Sequence, residues 1–298
     1  MTKNELSLIT SNKLHTQKAI SLVSLFKMGV IAPSTIILQD DSEVKKANEI
    51  AQGIKSEYFY VRVNFPDNSY PHHLSAFSLK QNLSIDLKSL LFKAKELNKP
   101  IYDIIIQPLI NFQWSGVALI KSDFILIEIV FGHPNSLLRL GEYKFRFLFD
   151  KHNNLLDINE GPQDTYMEWE KNELTRSSKV IRNDSIDEIL VHLKQIRKDE
   201  CLLYEIGFSK PYLYYLEFKQ TNPLSFNDVK NNVIQKPFRI FSGVDSGNRN
   251  KKLSLKKPSL DNIESISIGV DITIETGAFL SHLSTYSAYN NINCTFLN

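Results

Sequence analysis

The strongest constraint on the fold is a series of short apolar runs in the first half of the chain. Four runs with lengths typical of β-strands lie between residues 101 and 149, separated by short turns. They cover residues 102–106, 116–120, 124–130 and 143–149. Apolar strands must bury at least one face, so this part predicts a sheet-forming core with strands on both sides of a cleft.

Helical patterns alternate with further strands on either side of this core. Apolar residues recur with helical spacing over residues 18–28, where Gly29 ends the pattern, and over 42–54, 84–97 and 184–197. Short strands are predicted at 36–38 and 58–63, and a hairpin at 202–206 and 213–218. The chain is therefore predicted to be mixed α/β (α+β).

Composition narrows the class of protein. The 298 residues carry a formal charge of only +2, which is too small for an electrostatic nucleic-acid footprint, so no nucleic acid is expected as a partner. The two cysteines lack the spacing of a disulfide framework or zinc site. No apolar stretch has the length of a signal peptide or membrane span, so we expect no membrane association and a cytoplasmic protein. The basic residues at 249–257 are expected to form a solvated loop.

A histidine motif lies near the C-terminus. The alternating run 266–274 predicts a strand, and Thr276-Gly277-Ala278-Phe279-Leu280-Ser281-His282 follows it. The spacing T-G-x-x-x-S-H resembles the phosphohistidine motif of the swivelling domain in phosphoenolpyruvate synthase, pyruvate phosphate dikinase and rifampin phosphotransferase. In that family the histidine accepts a phosphoryl group, which implies the same role for His282.

Segments similar to the ATP-binding domain of the same family precede the histidine in the family's order. Residues 16–22 with 29–33 resemble its G-G-K-x-x-x-L…G-x-x-V-P opening, and Val61-Arg62-Val63-Asn64 resembles V-R-S-S. The resemblance implies that Lys18 and Arg62 contact nucleotide phosphates.

Three later segments extend the resemblance. Residues 104–110 with 115–118 are similar to V-V-V-Q-x-M-V…A-G-V-x-F, which implies that Gln107 lies on the adenine side of the nucleotide. Glu128 falls on the next strand of that site. Residues 203–205 with 220–223 resemble D-I-E-W…L-Q-S-R-P, which implies that Glu205 and Gln220 hold Mg²⁺ and phosphate oxygens.

Taken together, the resemblance implies an ATP-grasp-like nucleotide-binding domain at 1–223 and a short, β-rich swivelling domain at 224–298. The expected activity is that of a dikinase-type phosphotransferase using ATP and Mg²⁺. Such catalysis is mostly positioning and charge stabilisation, with Arg62 against the phosphates and His282 as the nucleophile. The acceptor would be a small molecule or a separate acceptor-domain protein.

Departures from the family pattern leave two alternatives open. Thr16-Gln17 replaces the paired glycines, and Asn222 replaces the arginine of Q-S-R-P. One alternative is a catalytically degenerate accessory protein that binds nucleotide or a partner. The other is an ATP-grasp amide or peptide ligase, which would use an acyl phosphate and not need His282. A structural salt bridge is an equal expectation for Glu128, and Glu217 is expected to face outward from its strand.

Overall fold

The computed structural model describes residues 5–9, 13–66, 73–97, 101–161, 163–164, 166–170, 173–177, 186–196, 202–220, 238–239, 251–255, 258, 270–274, 278–281 and 294–296. They divide into two compact units. The first contains residues 1–111, 169–174 and 211–218, and the second contains 112–168, 175–210 and 219–298. The predicted domain boundary at 223/224 falls outside the described residues and stays a prediction.

The first unit is built on a five-stranded sheet with helices. In chain order its elements are β1 (Leu6–Leu8), α1 (Gln17–Lys27), β2 (Thr35–Leu38), α2 (Val44–Gly53), β3 (Tyr58–Asn64), β4 (His73–Leu79), α3 (Leu83–Glu96) and β5 (Asp103–Pro108). The strand order is β1-β2-β5-β3-β4. β1 pairs parallel with β2, and the other pairs are antiparallel.

One face of this sheet is covered by helices. Alternate residues of β3, Phe59, Val61 and Val63, are buried in one hydrophobic cluster with apolar residues of α2 and α3. Since neighbouring residues of a strand point to opposite faces, the residues between them lie on the other face of the sheet. That face carries the polar residues described below.

The second unit is largely antiparallel. Its helices and strands begin with β6 (Trp114–Ile120), β7 (Phe124–Phe131), α4 (Asn135–Leu138), β8 (Phe145–Asp150) and β9 (Leu155–Glu160). The chain continues through β10 (Tyr166–Glu170), β11 (Glu173–Ser177), α5 (Ile186–Leu193), β12 (Leu202–Ser209) and β13 (Tyr212–Gln220). The large sheet has the order β13-β12-β6-β7-β8-β9, and β10 and β11 form a two-stranded sheet of their own. Residues 169–170 of β10, 173–174 of β11 and 212–218 of β13 are grouped with the first unit.

The C-terminal strands form a smaller sheet. β14 (Phe238–Arg239), β15 (Lys251–Leu255), β16 (Val270–Ile274) and β17 (Cys294–Phe296) have the order β14-β17-β16-β15. Ile272 and Ile274 lie in one hydrophobic cluster with residues of β6, β7 and β8. These C-terminal residues therefore contribute to the core of the second unit.

The mixed α+β class is confirmed, and one local expectation is corrected. The basic residues at 251–252, expected in a solvated loop, belong to strand β15, which pairs parallel with β16. Strand β4 begins at His73, and its residues 73–79 pair with all of β3. No helix in the described part of the chain is long and apolar enough to cross a membrane.

Candidate functional site

A polar patch lies on the face of the first sheet that α2 and α3 do not cover. Tyr60 and Arg62 project from β3 on this face, and Gln107 of β5 stands opposite Tyr60 in the antiparallel register. All three are partly exposed, whereas the alternate residues of β3 are fully buried. The alternation of β3 thus brings two predicted site residues, Arg62 and Gln107, onto one face.

The guanidinium of Arg62 lies against the ring of Tyr60. Its Cζ atom is 4.9 Å from the ring centroid, and Nη2 donates a 3.3 Å hydrogen bond to the phenolic oxygen. The ring also stacks on Phe77 of β4, with 4.8 Å between centroids. These contacts fix the position of a cation on a half-buried surface, where it can attract an anion more strongly than in bulk water.

Lys18 supplies a second cation within the same unit. It lies in the first turn of α1, and its Nζ donates to Glu217 Oε2 at 2.5 Å and to the Leu216 carbonyl at 3.3 Å. The side chains of Lys18 and Glu217 are only 14% and 12% exposed. Glu217 therefore does not face solvent as the alternation of its strand suggested. The sequence did contain a signal for this pairing, because a carboxylate within an apolar strand needs a partner when it is buried.

Asp103 fixes the start of the helix that carries Lys18. This carboxylate is fully buried, and its Oδ2 accepts hydrogen bonds from the backbone N–H groups of His15 and Thr16 and from the Thr16 hydroxyl, at 2.9, 2.6 and 2.7 Å. Oδ1 accepts a 2.6 Å bond from Gln39 Nε2. Thr16 is the N-cap of α1, so Asp103 accepts hydrogen bonds from N–H groups at the N-terminus of this helix. The carboxylate thereby positions the first turn of α1.

Gln107 is held on the neighbouring strand. Its Nε2 donates a 3.0 Å hydrogen bond to the hydroxyl of Thr35 on β2. Its carboxamide is partly exposed on the same face of the sheet as Tyr60 and Arg62. An amide so oriented can offer its oxygen to a donor on a ligand.

The charges around Tyr60 change its acidity. Burial raises the pKa of Tyr60, but the charge of Arg62, hydrogen bonds from Ser75 and Arg62, and the charge of Lys18 together hold it below the ordinary value. By contrast, burial raises the pKa of Tyr143 above its ordinary value. The two phenols should therefore ionise in separate pH ranges.

This difference can be measured by following phenolate absorbance as the pH is raised. We expect Tyr60→Phe to remove an early component of the titration and Tyr143→Phe to remove a late one. Because the folded pKa of Tyr60 lies below its unfolded value, its ionisation stabilises the fold at high pH, and this contribution is lost as pH falls through the folded pKa. An unchanged early component in Tyr60→Phe would contradict the assignment.

In the second unit, Glu128 is fully buried and bonded on both oxygens. Its Oε1 accepts from Arg146 Nε at 2.7 Å and from the Phe279 N–H at 2.9 Å, and Oε2 accepts from the Leu280 N–H at 2.7 Å. The Arg146 guanidinium lies 3.1 Å from the ring centroid of Phe279 and 4.2 Å from that of Tyr143. These contacts give Glu128 the structural role that was one of its two expected roles.

The other predicted residues are only partly described. Glu205 of β12 is buried, with the Lys219 ammonium 3.5 Å from its Oε1. The side chain of Gln220 and the whole of His282 lie outside the described residues. Among the residues that are described, no group of three or more His, Cys, Asp or Glu side chains is arranged to hold a metal ion.

The likenesses to known proteins reported below are distant. No family model matches the chain, and no curated protein matches it. Among solved structures, a RimK domain ATP-grasp protein from Sphaerobacter thermophilus aligns with 9% identity and a TM-score of 0.34, over 74% of this chain and 64% of that one. The D-alanine–D-alanine ligase from Bacillus anthracis aligns with 14% identity and a TM-score of 0.36, over 74% and 63%.

N5-carboxyaminoimidazole synthetase from Staphylococcus aureus aligns with 11% identity and a TM-score of 0.33, over 75% of this chain and 47% of that one. The chain thus spans less than two thirds of the length of these structures. Likenesses at these TM-scores assign neither a family nor an activity to the chain.

Proposed function

We propose that the chain is an ATP-dependent enzyme of the ligase type, which activates a carboxylate substrate as an acyl phosphate. In this reaction a carboxylate oxygen attacks the γ-phosphorus of ATP, and the bond from that phosphorus to the bridging oxygen breaks to release ADP. An amine then attacks the acyl carbon, loses a proton and displaces phosphate. Phosphoryl transfer of this kind depends mainly on positioning and on neutralising the phosphate charges.

The cationic patch of the first unit supports phosphate binding. The side chain of Lys18 is nearly buried and that of Arg62 is partly exposed, and both are held by neighbouring groups of their own unit. Their type and burial fit the oxygens of a triphosphate, since cations on a partly desolvated surface bind phosphate more strongly than fully solvated ones. Gln107 would contribute an amide beside them. Glu205 and Gln220 stay proposed as Mg²⁺ ligands, for which a carboxylate and an amide oxygen have suitable chemistry.

The contacts of Glu128 with residues 279 and 280 favour the ligase over the dikinase. A dikinase must carry its phosphohistidine between two sites, so the histidine segment has to move. Here residues 278–281 are buried, and Ala278, Phe279 and Leu280 lie in the hydrophobic cluster of β6 and β7. Moving them would break the two backbone N–H bonds to a buried carboxylate, at a cost of about 1.5–3 kcal/mol each. A ligase requires no such movement.

The product nucleotide distinguishes the two reactions. Purified protein would be incubated with β- and γ-labelled ATP, Mg²⁺, a mixture of amino acids as carboxylates and hydroxylamine as the amine. We expect ADP, a hydroxamate and no protein-bound label, with His282→Ala forming ADP within about twofold of the wild-type rate. Arg62→Met should lose most of this turnover. AMP as product, with alkali-stable label on the wild type that His282→Ala lacks, would overturn the ligase proposal.

A second candidate is a nucleotide-binding accessory protein without turnover. The ion pair between Lys18 and Glu217 favours it, because one cation of the patch is already neutralised by a carboxylate of the same unit. This candidate predicts that calorimetry detects ATP binding, while neither ADP nor AMP is formed in the assay above. Product formation at a rate lowered by Arg62→Met would exclude it.

A further inference from the structure

The ion pair between Lys18 and Glu217 is placed where it competes with a ligand. Lys18 Nζ is 2.5 Å from Glu217 Oε2, and both side chains are nearly buried. If Lys18 contacts a phosphate, its ammonium must either bind the phosphate and Glu217 at the same time or break its ion pair with Glu217. The carboxylate of Glu217 already neutralises the charge of Lys18. An anion that approaches Lys18 is therefore repelled by Glu217, and this repulsion is strong on a desolvated surface.

We propose that Glu217 determines the form of the nucleotide that binds, by making triphosphate binding conditional on an accompanying divalent cation. This inference rests on the proposed function and adds a residue to it. A metal-free triphosphate brings several negative charges next to Glu217. It also draws the ammonium of Lys18 away from this carboxylate. A nucleotide bound to Mg²⁺ brings less negative charge, and its cation offsets the charge of the carboxylate.

The fixed surroundings of Lys18 strengthen this competition. Asp103 holds the N-terminus of α1, so the first turn of the helix cannot shift freely to carry Lys18 away from Glu217. The backbone N–H of Phe218 donates a 2.8 Å hydrogen bond to the Ser21 hydroxyl of α1, which ties the strand next to Glu217 to the same helix. Only rotation of the two side chains can therefore separate the pair, and the carboxylate stays close to any anion that Lys18 contacts.

The test is calorimetric titration with ATP, in excess Mg²⁺ and in excess chelator, and it needs no turnover. For the wild type we expect binding at least about tenfold tighter with Mg²⁺ than without. Glu217→Gln should bind metal-free ATP about tenfold more tightly than the wild type does, and lose most of the preference for Mg²⁺. Glu217→Asp, which keeps the charge, should retain the preference.

The control is Glu160→Gln, which changes the exposed partner of Lys144 and should leave both affinities unchanged. A gain in metal-free binding cannot result from a damaged fold, so it separates the proposed role from a structural one. Wild-type binding that is equal with and without Mg²⁺ would overturn this inference, as would an unchanged preference in Glu217→Gln. No ATP binding by the wild type in either condition would instead contradict the proposed function itself.

Discussion

Replacing Glu128 by alanine is expected to lower the free energy of unfolding by about 3–5 kcal/mol, one of the two largest effects in this molecule. The change removes a fully buried carboxylate and leaves the nearly buried guanidinium of Arg146 without its ion pair. It also leaves the N–H groups of Phe279 and Leu280 without their acceptor. A buried charge and two buried donors each cost free energy when their partner is lost.

Urea or guanidinium denaturation measures this effect, with Glu160→Ala as the matched control. Glu160 also pairs with a cation across the same sheet, but its side chain is 63% exposed, so its loss should cost less than about 1 kcal/mol. Replacing both partners, Glu128→Leu with Arg146→Leu, should cost less than Glu128→Ala alone if the buried charge dominates. If Glu128→Ala lowered the free energy of unfolding by less than about 1 kcal/mol, Glu128 would not hold residues 279 and 280 in place.

Periodicity predicted the regular elements well where a pattern was long. The helix expected at 84–97 is α3, Leu83–Glu96, and the strand expected at 124–130 is β7, Phe124–Phe131. The helix rests on apolar residues with one helical spacing, and the strand rests on a continuous apolar run that is buried on both faces. The C-terminal end of the helix expected at 184–197 was less exact, because α5 ends at Leu193 and residues 194–196 are no longer helical.

Elements without such a pattern could not be predicted. β4 contains Ser75 and Ser78 among its apolar residues, and it forms because β3 offers a complete edge of backbone hydrogen-bonding groups. β15 contains two lysines, but its backbone pairs with β16, whose Ile272 and Ile274 lie in the hydrophobic core. In both cases the partner strand decides the structure, and the local sequence does not show which strand that partner is.

In the candidate site, too, some residues could be predicted from the local sequence and others could not. Arg62 and Gln107 are recognisable from their segments, and the register of β3 with β5 brings them to one face. The sequence gives no such signal for Asp103, because a single aspartate at the start of a strand is common and its partners are 64 to 88 residues away. Glu217 likewise pairs with Lys18 across 199 residues. Partners this distant in sequence appear only when the fold is known.

The second large effect is expected for Asp103→Ala, which should lower the free energy of unfolding by about 2–4 kcal/mol. The change leaves the N–H groups of His15 and Thr16 without their acceptor at a buried helix entrance. It should also weaken the binding of Mg·ATP by at least about tenfold at a temperature where the variant is folded, because the first turn of α1 carries Lys18.

Two measurements separate these effects. Chemical denaturation gives the stability, and calorimetry well below the unfolding transition gives the affinity. Asp41→Ala is the matched control, since Asp41 pairs with Lys95 on the exposed surface of the same unit and should change neither quantity appreciably. Asp103→Asn keeps a side-chain oxygen that can accept from the helix entrance, so it should recover part of both losses. If Asp103→Ala were destabilised but bound Mg·ATP as tightly as the wild type, the first turn of α1 would not position a phosphate ligand. The role of Lys18 would then have to be given up, because Asp103 acts on the nucleotide only through the helix that carries it.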